Sequence, residues 1–214
     1  MNFVLERITN PEIEPVTLAE IIQHVNEFSS VSAATQTELT NLIVAGREWA
    51  EGFTGRALID QTWRLTLTNL ANDPIPSRYG YYAWSADWWR GNEISLRKSP
   101  AIVVVTAASV DPIGTETEID PATYEIRELK SKWPRLVSIG AAWPTTDLVI
   151  TFRAGFADRL GSPIQGAEMV PERFKHAIKL WVEAHYDRDK DMMSKLISVA
   201  EAVLRPERAE LSIA

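Results

Sequence analysis

The apolar pattern of this chain changes period twice, and that double change limits the folds open to it more than any other feature. In "TLAEIIQHVNEF", Leu18, Ile21, Ile22 and Val25 recur at helical spacing behind Thr17 and Glu20, which stand at capping-box distance. A second Thr-x-x-Glu box, Thr35 to Glu38, precedes "LTNLIVAGREWAEGFTG". There Leu39, Leu42, Ile43, Gly46 and Trp49 or Ala50 form an inward stripe, and Gly52 and Gly55 read as stop signals. Gly46 leaves room for a close helix approach. From Gln61 the period becomes two: Trp63, Leu65 and Leu67 alternate with Arg64, Thr66 and Thr68, the mark of a half-buried strand. Further strand candidates are "EISLRK", "AIVVVTAASV", "TYEIREL", "PRLVSIG" and "DLVITFRAG", parted by Ser99-Pro100, Asp111-Pro112, Asp120-Pro121 and Trp143-Pro144. Helical spacing then returns. Phe174, Ala177, Ile178, Trp181 and His185 share a face behind Pro171, and Met193, Leu196, Ile197, Ala200, Val203 and Leu204 mark a last helix ending before Pro206.

Short strands with Pro-rich joints predict an antiparallel sheet or small barrel and not parallel βαβ units. The expected class is α+β. N- and C-terminal helices, 1–57 plus 168–205, form one helical bundle, a β domain is inserted at 58–167, and 206–214 is a flexible tail. A chain of 214 residues can bury a sizeable core in such a plan.

Composition narrows function. Cys is absent, which removes disulfides, thiolate metal sites and a Cys nucleophile. The start "MNFVLERITNPEIEP" has no basic flank before an apolar core, and no run approaches a membrane span, so neither a secretory signal nor a membrane partner is expected. A net charge of −7 argues against gripping nucleic acid by phosphate neutralisation, yet suits a surface past which nucleic acid slides.

Catalytic and metal constellations are not expected. His176 and His185 are about 900° of helical rotation apart and so face opposite sides, while His24 flanks the first apolar stripe. Asp187, Asp189 and Asp191 open like a calcium loop, but Met192 stands where the sharp turn needs Gly and Ser198 where a bidentate Glu is needed. Phosphate cradles, nucleophile elbows and zinc-protease motifs are missing. No cofactor is expected, and the chain reads as a non-enzyme.

The stretch "RYGYYAWSADWWRG" gathers Tyr79, Tyr81, Tyr82, Trp84, Trp88 and Trp89. Rings of this kind bury about 150–250 Å² each, more together than the about 300–600 Å² of a typical exposed apolar patch. They cover their own β domain, meet a neighbouring subunit, or stack on a sugar beside Asp87, Arg90 and Asn92.

The order "VTLAEIIQHV", "GREWAEGFTGRALIDQTWRLTL", "ISLRKSPAIVVVTAASV", "TYEI", "WP", "LVITFRAGFAD" and "VPERFKHAIKLWVEAHYDRD" resembles the head–tail connector (adaptor) proteins of long-tailed phages, in the longer form with a β insertion also found in gene transfer agents. The likeness runs from about residue 16 to 190. Its strongest pieces are Glu-x-x-Thr-Gly-Arg-Ala-Leu-Ile-x-Gln-Thr-Trp from Glu51 and Val-Pro-x-x-x-Lys-x-Ala-Ile from Val170.

The resemblance implies a ring, a dodecamer, beneath the portal that extends the DNA channel toward the tail. Its partners would be further copies, the portal protein, and a tail-side connector, stopper or tail terminator, with double-stranded DNA passing through unbound. Its place would be the head–tail junction of a particle assembled in the bacterial cytoplasm. Met192, Leu196, Val203, Arg205, Arg208, Leu211 and Ile213 are the candidates for a portal contact that orders the C-terminal segment. Tyr81, Tyr82, Trp84, Trp88, Trp89 and Arg90 are candidates for the subunit contact. The rival reading is a virion-displayed carbohydrate or receptor-binding module using the aromatic loop at 79–91.

Overall fold

A computed structural model of the chain describes residues 2–25, 31–68, 89–90, 92–129, 131–140, 143–144, 146–156, 169–186 and 190–209. In chain order the elements are β1 (Asn2–Arg7), α1 (Leu18–His24), α2 (Ala33–Thr54), β2 (Gln61–Thr68), β3 (Trp89–Arg90), β4 (Glu93–Ser95) and β5 (Ala101–Val110). They continue with β6 (Glu116–Glu118), β7 (Tyr124–Arg127), β8 (Arg135–Ser138), β9 (Asp147–Ala154), α3 (Glu172–Tyr186) and α4 (Lys190–Leu204). The class is α+β, with helices and antiparallel sheets. Two compact units emerge, one from Met1–Asn10 with Asp60–Gly155, the other from Pro11–Ile59 with Phe156–Ala214.

The first unit is built from strands. One sheet has the order β1-β2-β9-β5-β6 and a second the order β3-β4-β8-β7. The alternation read in β2 is realised: Trp63, Leu65 and Leu67 are buried while Arg64, Thr66 and Thr68 are partly exposed. Register carries that face across the sheet, since Leu65 stands opposite both Leu5 and Ile150, and Ile150 opposite Ala107. The matching row joins Trp63, Phe152 and Val104. A side chain such as Leu65 or Phe152, removed fully from water, contributes about 1.5–3 kcal/mol. In the four-stranded sheet Ile94, Leu136 and Val137 are buried, and so is Leu96 just beyond β4.

Turn chemistry between strands is local and polar. Asp111 closes the β5–β6 hairpin: its Oδ1 accepts the Ile113 N–H at 3.0 Å and the Thr115 N–H at 2.7 Å, and Gly114 supplies φ 89°. These bonds, the one from the Thr115 backbone foremost, hold the Asp111 carboxyl below its ordinary range. Asp120 likewise accepts the Ala122 N–H at 2.9 Å to cap the turn Pro121–Thr123.

In the second unit, α1 begins with the full box read from sequence: Thr17 Oγ1 accepts the Glu20 N–H, and Glu20 Oε2 accepts the Thr17 N–H. The start of α2 differs from expectation. Ser32, not Thr35, is its N-cap, accepting the Thr35 N–H at 3.2 Å, so the Thr35–Glu38 pair lies inside the helix. Only Gly55, at φ 71°, ends α2, and Gly52 lies within it. Gly46 does face a neighbour: a Cβ there would lie 3.2 Å from Trp181 Cε3 and 3.3 Å from Ile178 Cγ2, both on α3. Helices from both ends of the chain share a core, with Ile21 of α1, Leu39, Ile43 and Ala50 of α2, Phe174, Ile178 and Val182 of α3, and Ala200 and Leu204 of α4.

Two expectations require correction. Residues 2–7, expected with the helices, form β1 and pair with β2 from Asn2↔Thr68 to Arg7↔Trp63. Edge pairing supplies their backbone bonds, even though Phe3 and Val4 stay half exposed. The tail expected to be flexible from 206 is held on the second unit up to Ala209, where the Ala209 N–H donates to the Thr54 carbonyl at 2.7 Å.

Candidate interaction surfaces

The run from Glu51 to Ile59, the most distinctive in the sequence, turns out to be a folded clasp. Glu51 sits on the buried face of α2, where Oε2 accepts Arg47 Nη1 at 3.0 Å one turn back. Its Oε1 reaches forward to accept the Leu58 N–H at 2.8 Å. One carboxylate thus serves a buried guanidinium on the helix and the buried Leu58 amide beyond its end. Arg47 also donates Nε to Glu14 Oε2 at 2.8 Å, with Glu48 3.7 Å away. Burial pushes the Glu14 carboxyl above its ordinary value, and Arg47 only partly offsets this. Helical periodicity assigns charged residues to the outer face, so Arg47 and Glu51 were not visible as buried from sequence.

Beyond Gly55 the next residue faces the C-terminal segment. Arg56 is 5% exposed, and its guanidinium lies 4.8 Å from the ring centre of Phe156 and 5.7 Å from that of Phe174. Its Nη1 pairs with Glu207 Oε2, while Arg173 Nη1 bonds Glu207 Oε1 at 2.7 Å. Burial depresses the Arg56 pKa, Glu207 counters it, and the like charge of Arg173 adds to the depression. Arg208 stacks over Phe53 at 5.0 Å, and the bare Gly55 backbone leaves space beside Ala209 Cβ. None of Arg56, Arg173 or Glu207 was among the candidate site residues. Polar contacts this far apart in sequence leave no periodic signal.

The candidate C-terminal residues divide. Leu196 and Val203 pack partly against the helical core, while Met192 is 45% exposed. Val199, one heptad from Met192 and missed in the sequence reading, is 50% exposed and extends the outward apolar side of α4. Arg205 is exposed, Arg208 is half-buried on Phe53, and Leu211 and Ile213 lie outside the described residues. Of the aromatic candidates, Tyr81, Tyr82, Trp84 and Trp88 lie outside the described residues. Trp89 and Arg90 form β3, opposite Ile94 and Glu93 of β4.

The histidines occupy packing and surface positions. His24 Nε2 lies 2.9 Å from Glu183, the His185 ring stacks on Trp181 at 3.7 Å with Nδ1 2.7 Å from the Trp181 carbonyl, and His176 is exposed. Among the described residues no cluster of three or more His, Cys, Asp or Glu is placed to hold a metal ion. No described helix is long and apolar enough to cross a membrane.

No family model and no curated protein matches the chain. Solved structures do. A chain of the virion of a native gene transfer agent (GTA) particle superposes with TM-score 0.68 at 22% identity, over 98% of this chain and 97% of that one. A chain from the neck of an empty GTA particle, computed with C6 symmetry, gives 0.66 at 22% identity over 92% and 94%. One from the neck of a native GTA particle, computed with C12 symmetry, gives 0.59 at 23% identity, again over 92% and 94%. The fold is therefore shared with these chains along nearly their whole length.

Proposed function

We propose that the chain is a structural head–tail connector, or adaptor, of a tailed phage or phage-like particle. Copies form a ring below the portal, a dodecamer in this reading, that extends the DNA channel and joins head to tail. The observation that carries the reading is end-to-end likeness of fold to chains of GTA necks, whose C6 and C12 symmetries are those of rings. The order of motifs along the sequence points to the same family independently of the fold.

The physical chemistry is compatible. A chain of net charge −7 repels the phosphate backbone, so DNA passes without being held. A helical bundle carrying an inserted β domain offers two separate surfaces to lateral neighbours, as a closed heterologous ring needs. Towards the portal we assign Met192, Leu196, Val203, Arg205, Arg208, Leu211 and Ile213. Towards adjacent subunits we assign the aromatic group Tyr81, Tyr82, Trp84, Trp88, Trp89 and Arg90. A tail-side connector, stopper or tail terminator would meet the opposite face. The role is non-enzymatic and belongs to the head–tail junction of a particle assembled in the bacterial cytoplasm.

Electron microscopy of this protein mixed with the portal of its own particle tests the reading. Rings seated coaxially on the portal are expected. A protein that stays monomeric and leaves the portal bare would refute it.

A further inference from the structure

The segment after α4 is attached differently from everything that precedes it. Leu204, the last helical residue, is fully buried and Ala200 one turn earlier is too, so α4 is anchored by apolar packing. In Arg205–Ala209, by contrast, no side chain is buried. The segment is held by groups that recognise charge and backbone. Glu207 bridges Arg56 and Arg173, Arg208 stacks on Phe53, and the Ala209 N–H bonds the Thr54 carbonyl at 2.7 Å. The receiving groups are a consecutive stretch at the end of α2, Phe53 to Arg56, together with Arg173 in the first turn of α3.

We propose that Arg205–Ala209 is a strap, closed over the Phe53–Arg56 turn by the carboxylate of Glu207, that opens as a unit about the Leu204–Arg205 junction while α4 stays docked. Three features make it a separate element. Apolar anchoring ends at Leu204, so opening withdraws no buried side chain of the strap itself. The ion pairs to Arg56 and Arg173 converge on one carboxylate, so one side chain carries this charged hold on the strap. Opening also lifts the Arg208 guanidinium off the Phe53 ring, so that contact reports the closed state.

Native-state amide exchange on the full-length protein, followed by NMR, reads the strap directly through the Ala209 amide. Hydrogen bonds to charged groups contribute about 1.5–3 kcal/mol, so Glu207→Gln should lower Ala209 protection by about tenfold to a hundredfold. Protection of amides in the middle of α3, at Ile178 and Val182, should not change. Trypsin offers a second readout, since Arg205 precedes Pro206 and the strap's cleavable bond is Arg208–Ala209; cutting there should accelerate in the variant. If Ala209 keeps its protection in Glu207→Gln, the carboxylate does not close the strap. If the α3 amides lose protection in the same proportion, the segment is part of the cooperative fold and opens with it. Either result overturns the proposal.

Discussion

Replacing Glu51 separates a structural motif from a functional one. The side chain is about 6% exposed and accepts from Arg47 Nη1 at 3.0 Å and from the Leu58 N–H at 2.8 Å. Glu51→Ala leaves the buried Leu58 amide without this acceptor, which costs about 1–3 kcal/mol. It also removes one carboxylate from Arg47. Breaking a buried pair outright costs about 3–5 kcal/mol, but Arg47 keeps Glu14 at 2.8 Å, so the loss falls below that range. Together these give about 3–5 kcal/mol, a large fraction of the roughly 5–15 kcal/mol that holds a typical protein folded. Glu51→Gln keeps a carbonyl oxygen for Leu58 but turns an NH2 donor toward Arg47, losing that bond with the charge, so about 1.5–3 kcal/mol is expected. Urea denaturation followed by circular dichroism at 222 nm measures both, with midpoints ordered wild type, Glu51→Gln, Glu51→Ala. Two variants with equal midpoints, or an alanine variant within about 1 kcal/mol of wild type, would refute the clasp.

The two helical glycines of α2 should respond in opposite senses. Gly46→Val forces branched atoms into Trp181 and Ile178 and should cost about 1–3 kcal/mol, whereas Gly52→Ala, with nothing within 4 Å of its added Cβ, should gain about 0.5–1 kcal/mol; thermal melts compare them. For Asp111 the folded pKa lies below the unfolded value near 3.8, so the unfolded state binds protons more readily. Its contribution is therefore present above that value and fades as pH falls through the folded pKa. Asp111→Asn should flatten the acid limb of the stability–pH curve there, and NMR titration of the carboxyl should report a midpoint below 3.8.

What the sequence revealed, and what it hid, follows from which interactions leave a periodic trace. Leu39, Ile43, Phe174 and Ile178 were found because helix burial repeats every three to four residues, and Trp63, Leu65 and Leu67 because strand burial alternates. Gly46 was legible as a close approach, and Thr17 with Glu20 as a cap, since both are local. Strand β1 was missed because Phe3 and Val4 are adjacent and both half exposed, so its alternation is blurred. Ser32 was overlooked in favour of a more familiar spacing three residues on. Glu207, Arg173 and Arg56 meet only through the fold, across 151 positions in the case of Arg56 and Glu207, and no window of sequence contains them.

The division of the chain, with one unit taking Met1–Asn10 and Asp60–Gly155 and the other Pro11–Ile59 and Phe156–Ala214, bears on its birth at the ribosome. Strand β1 leaves the exit tunnel first but waits for both helices of the N-terminal half before β2 arrives to pair with it. Helices α1 and α2 then wait through all the remaining strands for Phe174 and Ile178 to cover their apolar faces. At about 5–20 residues per second, those surfaces stand uncovered for several seconds or more of translation. The first unit lacks its last strand until Ala154 is made, and the second lacks α3 and α4 until later still, so both units are completed late in synthesis.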